Sequence, residues 1–490
     1  MIPAETSLNP QYGQYNPNSN HIRMKVEQIY TGCLAQGAYY IESNGEAAVI
    51  DPLRETEPYL KRAAESGAKI KYIFETHFHA DFVSGHVDLA EKTGATIIYG
   101  PGAETAFPKY ETKDGEELSL GKLKFKVLHT PGHTPESSCF LMYDEAGKPY
   151  AVFTGDTLFI GDVGRPDLAQ KSGVITKEDL AGWLYDSLRN KIMTLPDDVL
   201  VYPAHGAGSA CGKNMSSETW SNIGQQKMTN YALRADMTRE EFIEEVNEGL
   251  QEPPQYFAKN AKINKTGYES LDVVKERGAQ ALSPDEIIEA VEHGGALVLD
   301  VRKPQDFVQG HIPGAISIGL DGQFAPWVGA LITDLMQPIV VVTEVGREEE
   351  TVVRLARVGY DNCIGYLDGG MASWVKAGKD IEEIESISSE QLAEVYHSDP
   401  TIKLLDVRKP SEWNSDHLRD AHNVPLDFIN DHMDEVNGKD RYYVFCRSGY
   451  RSVIFTSILK ARGIHNIVNI AGGYNDILKT DIPRAEPEPA

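Results

Sequence analysis

The sequence predicts an α/β protein: a layered α/β domain followed by two tandem α/β domains. Its 490 residues suffice for about three domains, at roughly 150 residues each. The segment LVLDVRKPQDFVQGHIPGA at 297–315 returns as LLDVRKPSEWNSDHLRDA at 404–421, which indicates a tandem duplication. Each copy alternates apolar strands with helical patterns, so we predict a parallel sheet with helices on both faces.

Composition and charge exclude several classes of function. Lys and Arg number 47 against 73 Asp and Glu, and the net charge of −26 opposes binding to nucleic-acid phosphates. No apolar run approaches the ~18 residues that a membrane span requires. The N-terminus, MIPAETSLNPQYGQYNPNSN, lacks the basic and apolar regions of a secretory signal, and five scattered cysteines do not form a disulfide framework. We expect a cytoplasmic protein with no nucleic-acid or membrane partner.

Both copies of the repeat open with a helix-start signal and contain a central apolar strand. The start signals are Ser283 with Glu286 and Ser388 with Gln391, and the strands are IVVV at 339–342 and YYVF at 442–445. The boundary between the copies is therefore expected near Glu385. The predicted division is an N-terminal extension (1–23), the layered domain (24–265), the first repeat (266–385) and the second repeat (386–490).

Potential metal ligands follow several strands of the layered domain. The strand IKYIFE runs directly into His77, His79 and Asp81. Further along the chain, three more such residues each come after a short apolar strand: His133, Asp156 and His205. Imidazoles and carboxylates on loops that a rigid sheet aims at one point suit a divalent transition metal.

The order and wording of these elements resemble the metallo-β-lactamase superfamily over roughly residues 24 to 260. The resemblance implies an αββα sandwich. The family pattern HxHxDH supplies ligands for two metals, but here Phe82 stands in place of the last His and cannot ligate. His86 is the remaining substitute, and we expect it to lie on the following helix rather than at the turn.

Within this superfamily, the chain most resembles the persulfide dioxygenases, which hold one non-heme iron. The resemblance implies one Fe(II) per chain, held by His77, His133 and Asp156, with positions left open for a substrate sulfur and O₂. It also implies two further groups of residues. His79, Asp81 and His205 would be remnants of the hydrolase site or groups that orient ligands and waters, although His79 is a direct ligand in hydrolase relatives; Arg165 and Tyr202 would line the substrate pocket.

A reactive thiol is predicted in the second repeat. Cys446-Arg447-Ser448-Gly449-Tyr450-Arg451 follows the strand YYVF and precedes an apolar helical pattern. Free N–H groups at a helix N-terminus favour the thiolate, and Arg447 and Arg451 add positive charge for an anionic sulfur donor.

Both repeats resemble rhodanese domains, and a loop of six residues favours sulfur over the longer loop of the related phosphatases. The equivalent loop of the first repeat, residues 343–348 (TEVGRE), has no thiol, and Glu344 and Glu348 take the positions of the two arginines. We expect the first repeat to be inactive in sulfur transfer.

Together the resemblances imply an enzyme of sulfide detoxification. The iron domain would oxidise a low-molecular-weight thiol persulfide with O₂ to sulfite and thiol, and Cys446 would interconvert persulfide plus sulfite and thiosulfate plus thiol. Two rivals are a binuclear zinc thioester hydrolase of the glyoxalase II type fused to a sulfurtransferase, and a non-enzymatic sulfur relay or scaffold. The identity of the thiol carrier and the oligomeric state, including a homo-oligomer, stay open.

Overall fold

The computed structural model describes residues 24–485, so the predicted N-terminal extension lies outside the described residues. The chain forms two compact units. Within the described residues, the first comprises 24–271 with 356–359, and the second comprises 272–355 with 360–485.

The first unit contains two six-stranded sheets whose strands follow the chain in order. The first sheet has the order β1-β2-β3-β4-β5-β6, with β1 (Lys25–Thr31), β2 (Gln36–Ser43), β3 (Glu46–Ile50), β4 (Lys69–Phe74), β5 (Thr96–Tyr99) and β6 (Tyr110–Glu111). The second has the order β12-β11-β10-β9-β8-β7, with β7 (Glu117–Leu120), β8 (Leu123–His129), β9 (Ser138–Tyr143), β10 (Pro149–Gly155), β11 (Leu200–Pro203) and β12 (Ser221–Asn222). Most neighbouring pairs are antiparallel, but β3 to β6 are mutually parallel and β10 is parallel to β11.

The two sheets face each other across an aromatic core. Phe74 on β4 packs against Phe140 on β9 with 4.7 Å between ring centroids, and against Phe125 on β8 with 5.0 Å. Alternate residues of β8 are buried, as expected for a strand with one face on a core. The loops at the strand ends are therefore carried by a rigid double sheet.

Helices cover the outer faces of both sheets. In chain order they are α1 (Glu57–Ser66), α2 (His86–Thr93), α3 (Lys177–Ser187), α4 (Ile223–Thr229), α5 (Arg239–Asn247) and α6 (Phe257–Thr266). Tyr59 of α1 and Leu89 of α2 pack on the first sheet, and Leu184 of α3 and Phe242 of α5 pack on the second. The layers are thus helix, sheet, sheet and helix, which confirms the predicted αββα fold class.

The second unit contains two five-stranded parallel sheets, one in each repeat. The first has the order β13-β17-β16-β14-β15, with β13 (Ala281–Leu282), β14 (Leu297–Asp300), β15 (Ile316–Ser317), β16 (Ile339–Val342) and β17 (Cys363–Leu367). The second has the order β18-β22-β21-β19-β20, with β18 (Ser386–Ile387), β19 (Lys403–Asp406), β20 (Ala421–Asn423), β21 (Tyr442–Phe445) and β22 (Ile467–Ile470). The shared strand order confirms the duplication.

The helices of the repeats are α7 (Leu271–Gly278), α8 (Pro284–Glu292), α9 (Pro304–Gln309), α10 (Phe324–Leu331), α11 (Glu348–Ala356), α12 (Gly370–Lys376), α13 (Ser389–Ser398), α14 (Pro410–Ser415), α15 (Tyr450–Ala461) and α16 (Tyr474–Ile477). Two of these helices, α8 and α13, begin at the start signals that the sequence predicts. Ser283 and Ser388 each form a capping box, with Glu286 and Gln391 respectively, at the starts of α8 and α13.

The repeated DVR motif is structural in both copies. Asp300 pairs with Arg302, and Asp406 pairs with Arg408, each with a shortest N–O distance of 2.6 Å. Each arginine also donates to a backbone carbonyl eight residues further on. Because both copies keep these contacts, the motif does not distinguish an active copy from an inactive one.

Within residues 24–485, no helix is long and apolar enough to cross a membrane. The five cysteines, all in this part of the chain, are free thiols.

Candidate functional sites

Three side chains of the first unit converge on one point at the ends of its strands. His77 follows β4, His133 follows β8, and Asp156 follows β10 directly. One ligand atom from each of the three lies within 4.8 Å of the other two, and all three residues are buried. The Nε2 atoms of His77 and His133 lie 3.7 and 3.5 Å from Asp156 Oδ2. These are the residues that the resemblance assigns to the metal.

The tautomers of the two histidines follow from their hydrogen bonds. His133 Nδ1 lies 2.9 Å from the carbonyl oxygen of Arg165, which can only accept, so this nitrogen carries the proton. Thr76 Oγ1 donates to Asp51 Oδ2 and therefore accepts from His77 Nδ1 at 2.9 Å. In the neutral form of each ring, Nε2 then carries the lone pair with which an imidazole binds a metal.

A further observation indicates that His77, His133 and Asp156 suit a metal ion. Asp156 Oδ2 is buried and has no hydrogen-bond partner within the described chain. Burial lowers the pKa of His77 well below its usual value, which keeps this ring neutral. Burial opposes the charged form of Asp156, but the His205 imidazole outweighs it and holds the pKa of this carboxyl below its usual range. A buried carboxylate oxygen facing two imidazole nitrogens is what a divalent cation satisfies.

His205 is held differently from the other two histidines. Its Nδ1 lies 2.8 Å from Asp156 Oδ1 and its Nε2 lies 2.8 Å from Asp81 Oδ2. Burial alone would lower the pKa of His205, but the carboxylates of Asp156 and Asp81 raise it well above the usual value. The ring therefore lies between the carboxylates of Asp156 and Asp81.

Phe82 and His79 pack against each other at the position where a second metal ligand is missing. The two ring centroids are 4.4 Å apart, and Phe82 is fully buried. His79 Nε2 lies 3.1 Å from Asp51 Oδ1, but neither ring nitrogen makes a hydrogen bond in the described part of the chain. His86 begins α2, as expected from the sequence, and its ring lies 4.9 Å from that of Phe107. The assignment of His79 to the groups that orient ligands, rather than to the metal ligands, stays a prediction.

The side chains of Arg165 and Tyr202 already have partners. The Arg165 guanidinium pairs with Asp167 at 2.6 Å and also donates to the carbonyls of Ala210 and Gln251. The Tyr202 ring stacks on Phe153 in the core between the sheets, with centroids 5.5 Å apart. Their role in binding substrate stays a prediction, and the carbonyl of Arg165 has a role of its own in orienting His133.

The sequence interpretation did not identify the residues that hold the segment from Thr76 to Ser84 in place. Asn264 of α6 donates to the carbonyls of His79 and Phe82 at 2.8 and 2.7 Å, and its Oδ1 accepts from the Ser84 amide. Asp51, just after β3, accepts from the Thr76 amide at 2.8 Å. Asn264 lies in a polar helix far along the chain, and no local pattern marks it.

The Cys446 loop lies between β21 and α15, as predicted. Gly449 precedes the helix with a φ of +95°, and its amide donates to Cys446 Sγ at 3.2 Å. Cys446 is buried. The loop therefore presents a backbone N–H to the sulfur at a helix N-terminus.

The segment that follows β22, with the Gly472–Gly473 pair, packs against the backbone of the Cys446 loop. The Tyr474 amide donates to the Cys446 carbonyl at 2.6 Å, and the Asn475 amide donates to the Arg447 carbonyl at 3.1 Å. A Cβ on Gly473 would lie 2.3 Å from the Cys446 carbonyl oxygen. Only glycine permits this approach.

The two arginines of the loop differ in their surroundings. Arg451 forms a two-point ion pair with Glu412 of α14, with N–O distances of 2.5 and 2.9 Å. Burial alone would lower the pKa of Arg451, but Glu412 raises it above the usual value. Arg447 is exposed at the mouth of the loop. Arg447 is the more accessible cation for an incoming anion.

The corresponding loop of the first repeat is filled by its own side chain. Gly346 matches Gly449, but its amide donates to the Glu348 carboxylate at 2.9 Å. Thr343 takes the place of Cys446. The cradle of the first repeat thus holds a carboxylate in place of a sulfur.

The comparisons with known proteins agree with both sites. Residues 31–205 match the model of the metallo-beta-lactamase superfamily, and residues 283–377 and 388–480 each match the rhodanese-like domain. The chain belongs to the metallo-β-lactamase superfamily and carries two rhodanese-like domains after that domain.

Two curated relatives of the first domain have different activities. The chain is 30% identical to the mitochondrial persulfide dioxygenase ETHE1 of Homo sapiens, over 43% of this chain and 75% of that protein. It is 33% identical to a hydroxyacylglutathione hydrolase of Pelagibacter ubique, over 35% of this chain and 68% of that protein. The comparisons thus support an enzyme that joins a metal-dependent hydrolase or dioxygenase domain to a sulfurtransferase.

One solved structure matches across the domains. A crystal structure titled metallo-beta-lactamase from Staphylococcus aureus is 32% identical, covers 70% of this chain and 98% of that chain, and has a TM-score of 0.61. The similarity therefore extends beyond the first domain.

We predict that His133→Ala loses the bound metal. The change removes one of three ligands, so affinity should fall by more than the roughly 10–100-fold typical of losing a group that only orients a ligand. Metal content after dialysis measures it. His129→Ala is the matched control, because the His129 ring lies outside the ligand group and its Nε2 is 3.0 Å from the Pro135 carbonyl oxygen. Equal metal content in the two variants would contradict the ligand assignment.

We predict that Gly473→Ala disables the Cys446 loop. Gly473 has a φ of +62°, and the added Cβ would collide with the Cys446 carbonyl. Gly463→Ala is the control: its φ is +83°, but its Cβ would meet nothing within 4 Å. Gly473, with φ +62° and ψ −154°, lies in a region essentially restricted to glycine, so Gly473→Ala adds backbone strain to the collision, whereas Gly463→Ala has only the cost of a positive φ. Thiosulfate to cyanide transfer should fall only in Gly473→Ala; similar rates in both would refute this role.

Proposed function

We propose that this protein oxidises a low-molecular-weight thiol persulfide at a single iron and passes sulfane sulfur through Cys446. In the first reaction, persulfide, O₂ and water give thiol and sulfite. In the second, persulfide and sulfite are interconverted with thiosulfate and thiol. The observation that carries the proposal is the grouping of His77, His133 and Asp156 beside a phenylalanine at the position of a second-metal ligand.

Two histidines and one carboxylate are the donor set of mononuclear non-heme iron oxygenases. Iron(II) held by these residues would supply the activation of O₂. The chain's own contribution is to fix the ligands: the Arg165 carbonyl and Thr76 orient the two imidazoles, and His205 orients Asp156. In the neutral form of each ligand histidine, the same contacts leave Nε2 unprotonated.

The sulfur-transfer step uses Cys446 as a nucleophile. Its thiolate attacks the sulfane sulfur of thiosulfate, the sulfur–sulfur bond of thiosulfate breaks, and sulfite leaves with the bonding electron pair. The enzyme is left as a Cys446 persulfide. A thiolate acceptor then takes the outer sulfur and restores the Cys446 thiolate, and the reverse sequence makes thiosulfate from sulfite. The Gly449 amide faces the Cys446 sulfur and supports its negative charge.

A thioester hydrolase is the second candidate, because hydroxyacylglutathione hydrolases are among the relatives. That chemistry in the family's binuclear form needs ligands for two metals. Phe82 removes one ligand, and both nitrogens of His205 face carboxylates. These features favour the mononuclear dioxygenase.

The experiment compares the wild type with Cys446→Ser, supplied with glutathione persulfide as the probe and monitored by an oxygen electrode and by chromatography of derivatised sulfite and thiosulfate. Covalent linkage raises the effective concentration of one site's product at the next to as much as the millimolar range, so wild-type product should be mainly thiosulfate. Cys446→Ser should consume O₂ at the wild-type rate while sulfite accumulates.

Two outcomes would overturn the proposal. Absence of O₂ consumption by the iron-loaded wild type, with hydrolysis of a glutathione thioester instead, would contradict the dioxygenase. Equal thiosulfate yields from the wild type and Cys446→Ser would contradict coupling through Cys446. Cys363→Ser is the matched cysteine control, because Cys363 is buried in β17 of the first repeat.

A further inference from the structure

A cavity of about 290 Å³ opens beside Cys446, and both repeats line it. The second repeat supplies the Cys446 loop together with Lys409 and Glu412. The first repeat, whose own loop has no thiol, supplies Gln323 and Trp327 at the start of α10. The repeat without a nucleophile therefore forms one wall of the site.

The contact between the repeats fixes this wall relative to the thiol. Tyr450, in the Cys446 loop, donates its hydroxyl to the Gly319 carbonyl at 2.7 Å. A Cβ on Gly322 would lie 2.5 Å from the Tyr450 ring, so the ring packs directly on the backbone of the first repeat. The segment that leads into α10 is thus tied to the catalytic loop.

The cavity is larger, and its lining side chains are more varied, than thiosulfate alone requires. Its volume corresponds to roughly ten waters at about 30 Å³ each, whereas thiosulfate has only five heavy atoms. Trp327 offers an apolar ring that is 5% exposed, and Gln323 makes no capping hydrogen bond at the start of its helix in the described chain. Exposed Arg447 and Lys409 lie on the cavity lining, and Arg451 is neutralised by Glu412.

We propose that this cavity binds an organic thiol, or its persulfide, that carries a carboxylate, and that the first repeat determines this specificity. Trp327 contacts the carbon skeleton, the Gln323 amide hydrogen-bonds to a polar group of the carrier, and Arg447 or Lys409 faces the carboxylate. The proposal rests on the sulfur-transfer function of Cys446 and names the class of its acceptor. Transfer to this acceptor breaks the bond between the two sulfurs of the Cys446 persulfide and forms a new one on the acceptor thiolate.

The test measures transfer from thiosulfate to two acceptors in the full-length protein. Glutathione is the organic probe, and cyanide is the small one, which needs no wall. Trp327→Ala should raise the KM for glutathione about tenfold, since a buried tryptophan commonly dominates a binding site. Transfer to cyanide should stay within about twofold of the wild type, and Trp327→Phe should restore most of the glutathione affinity.

A second variant guards against misfolding of Trp327→Ala. Gln323→Ala removes an exposed side chain of the cavity lining, and Gln309→Ala, an exposed glutamine of the same repeat outside the cavity, is its control. Gln323→Ala should raise the KM for glutathione while Gln309→Ala should not. Unchanged glutathione KM in both Trp327→Ala and Gln323→Ala, or equal losses with glutathione and cyanide, would overturn the proposal. Failure of the wild type to transfer sulfur to cyanide would instead contradict the proposed function of Cys446.

Discussion

The arrangement of the first site depends on how the Asp156 carboxylate divides its two oxygens. Oδ1 is held by His205 at 2.8 Å, and Oδ2 is left facing His77 and His133 with no hydrogen-bond partner in the described chain. A buried carboxylate oxygen without a partner is unfavourable unless a cation satisfies it. Gly155 and Gly164 allow this placement, since a Cβ on Gly164 would lie 2.0 Å from the Asp156 carbonyl oxygen. The site is thus organised for a metal before one arrives.

In the second unit, a backbone amide contacts the sulfur of one loop and a carboxylate in the other. In the second repeat the Gly449 amide faces the Cys446 sulfur, and in the first repeat the Gly346 amide faces the Glu348 carboxylate. One loop geometry thus accepts either a sulfur or a carboxylate. Both copies keep the fold and the DVR pairs, which do not depend on the thiol. The first repeat retains a structural contribution through Trp327.

Much of this architecture could be predicted from the sequence. The duplication, the capping boxes at Ser283 and Ser388 and the strands before Cys446 are local patterns, and the structure confirms them. The ligand triad could be proposed because each member follows its own strand. Asn264 could not be identified, because its partners at His79 and Phe82 lie more than 180 residues away in sequence. The ion pair of Arg165 with Asp167 and the wall formed by Trp327 depend likewise on tertiary packing, which no local pattern reports.

If Phe82 limits the first site to one metal, the number of metal ions bound per chain will show it. The wild type and Phe82→His are stripped of metal, reloaded anaerobically with excess Fe(II) or with excess Zn(II), desalted and measured by elemental analysis against protein concentration. We expect one metal per chain for the wild type with either ion. We expect a higher metal content for Phe82→His, in which the ligand pattern for a second metal is complete. Two tightly bound metals per chain in the wild type would contradict this limit to one metal.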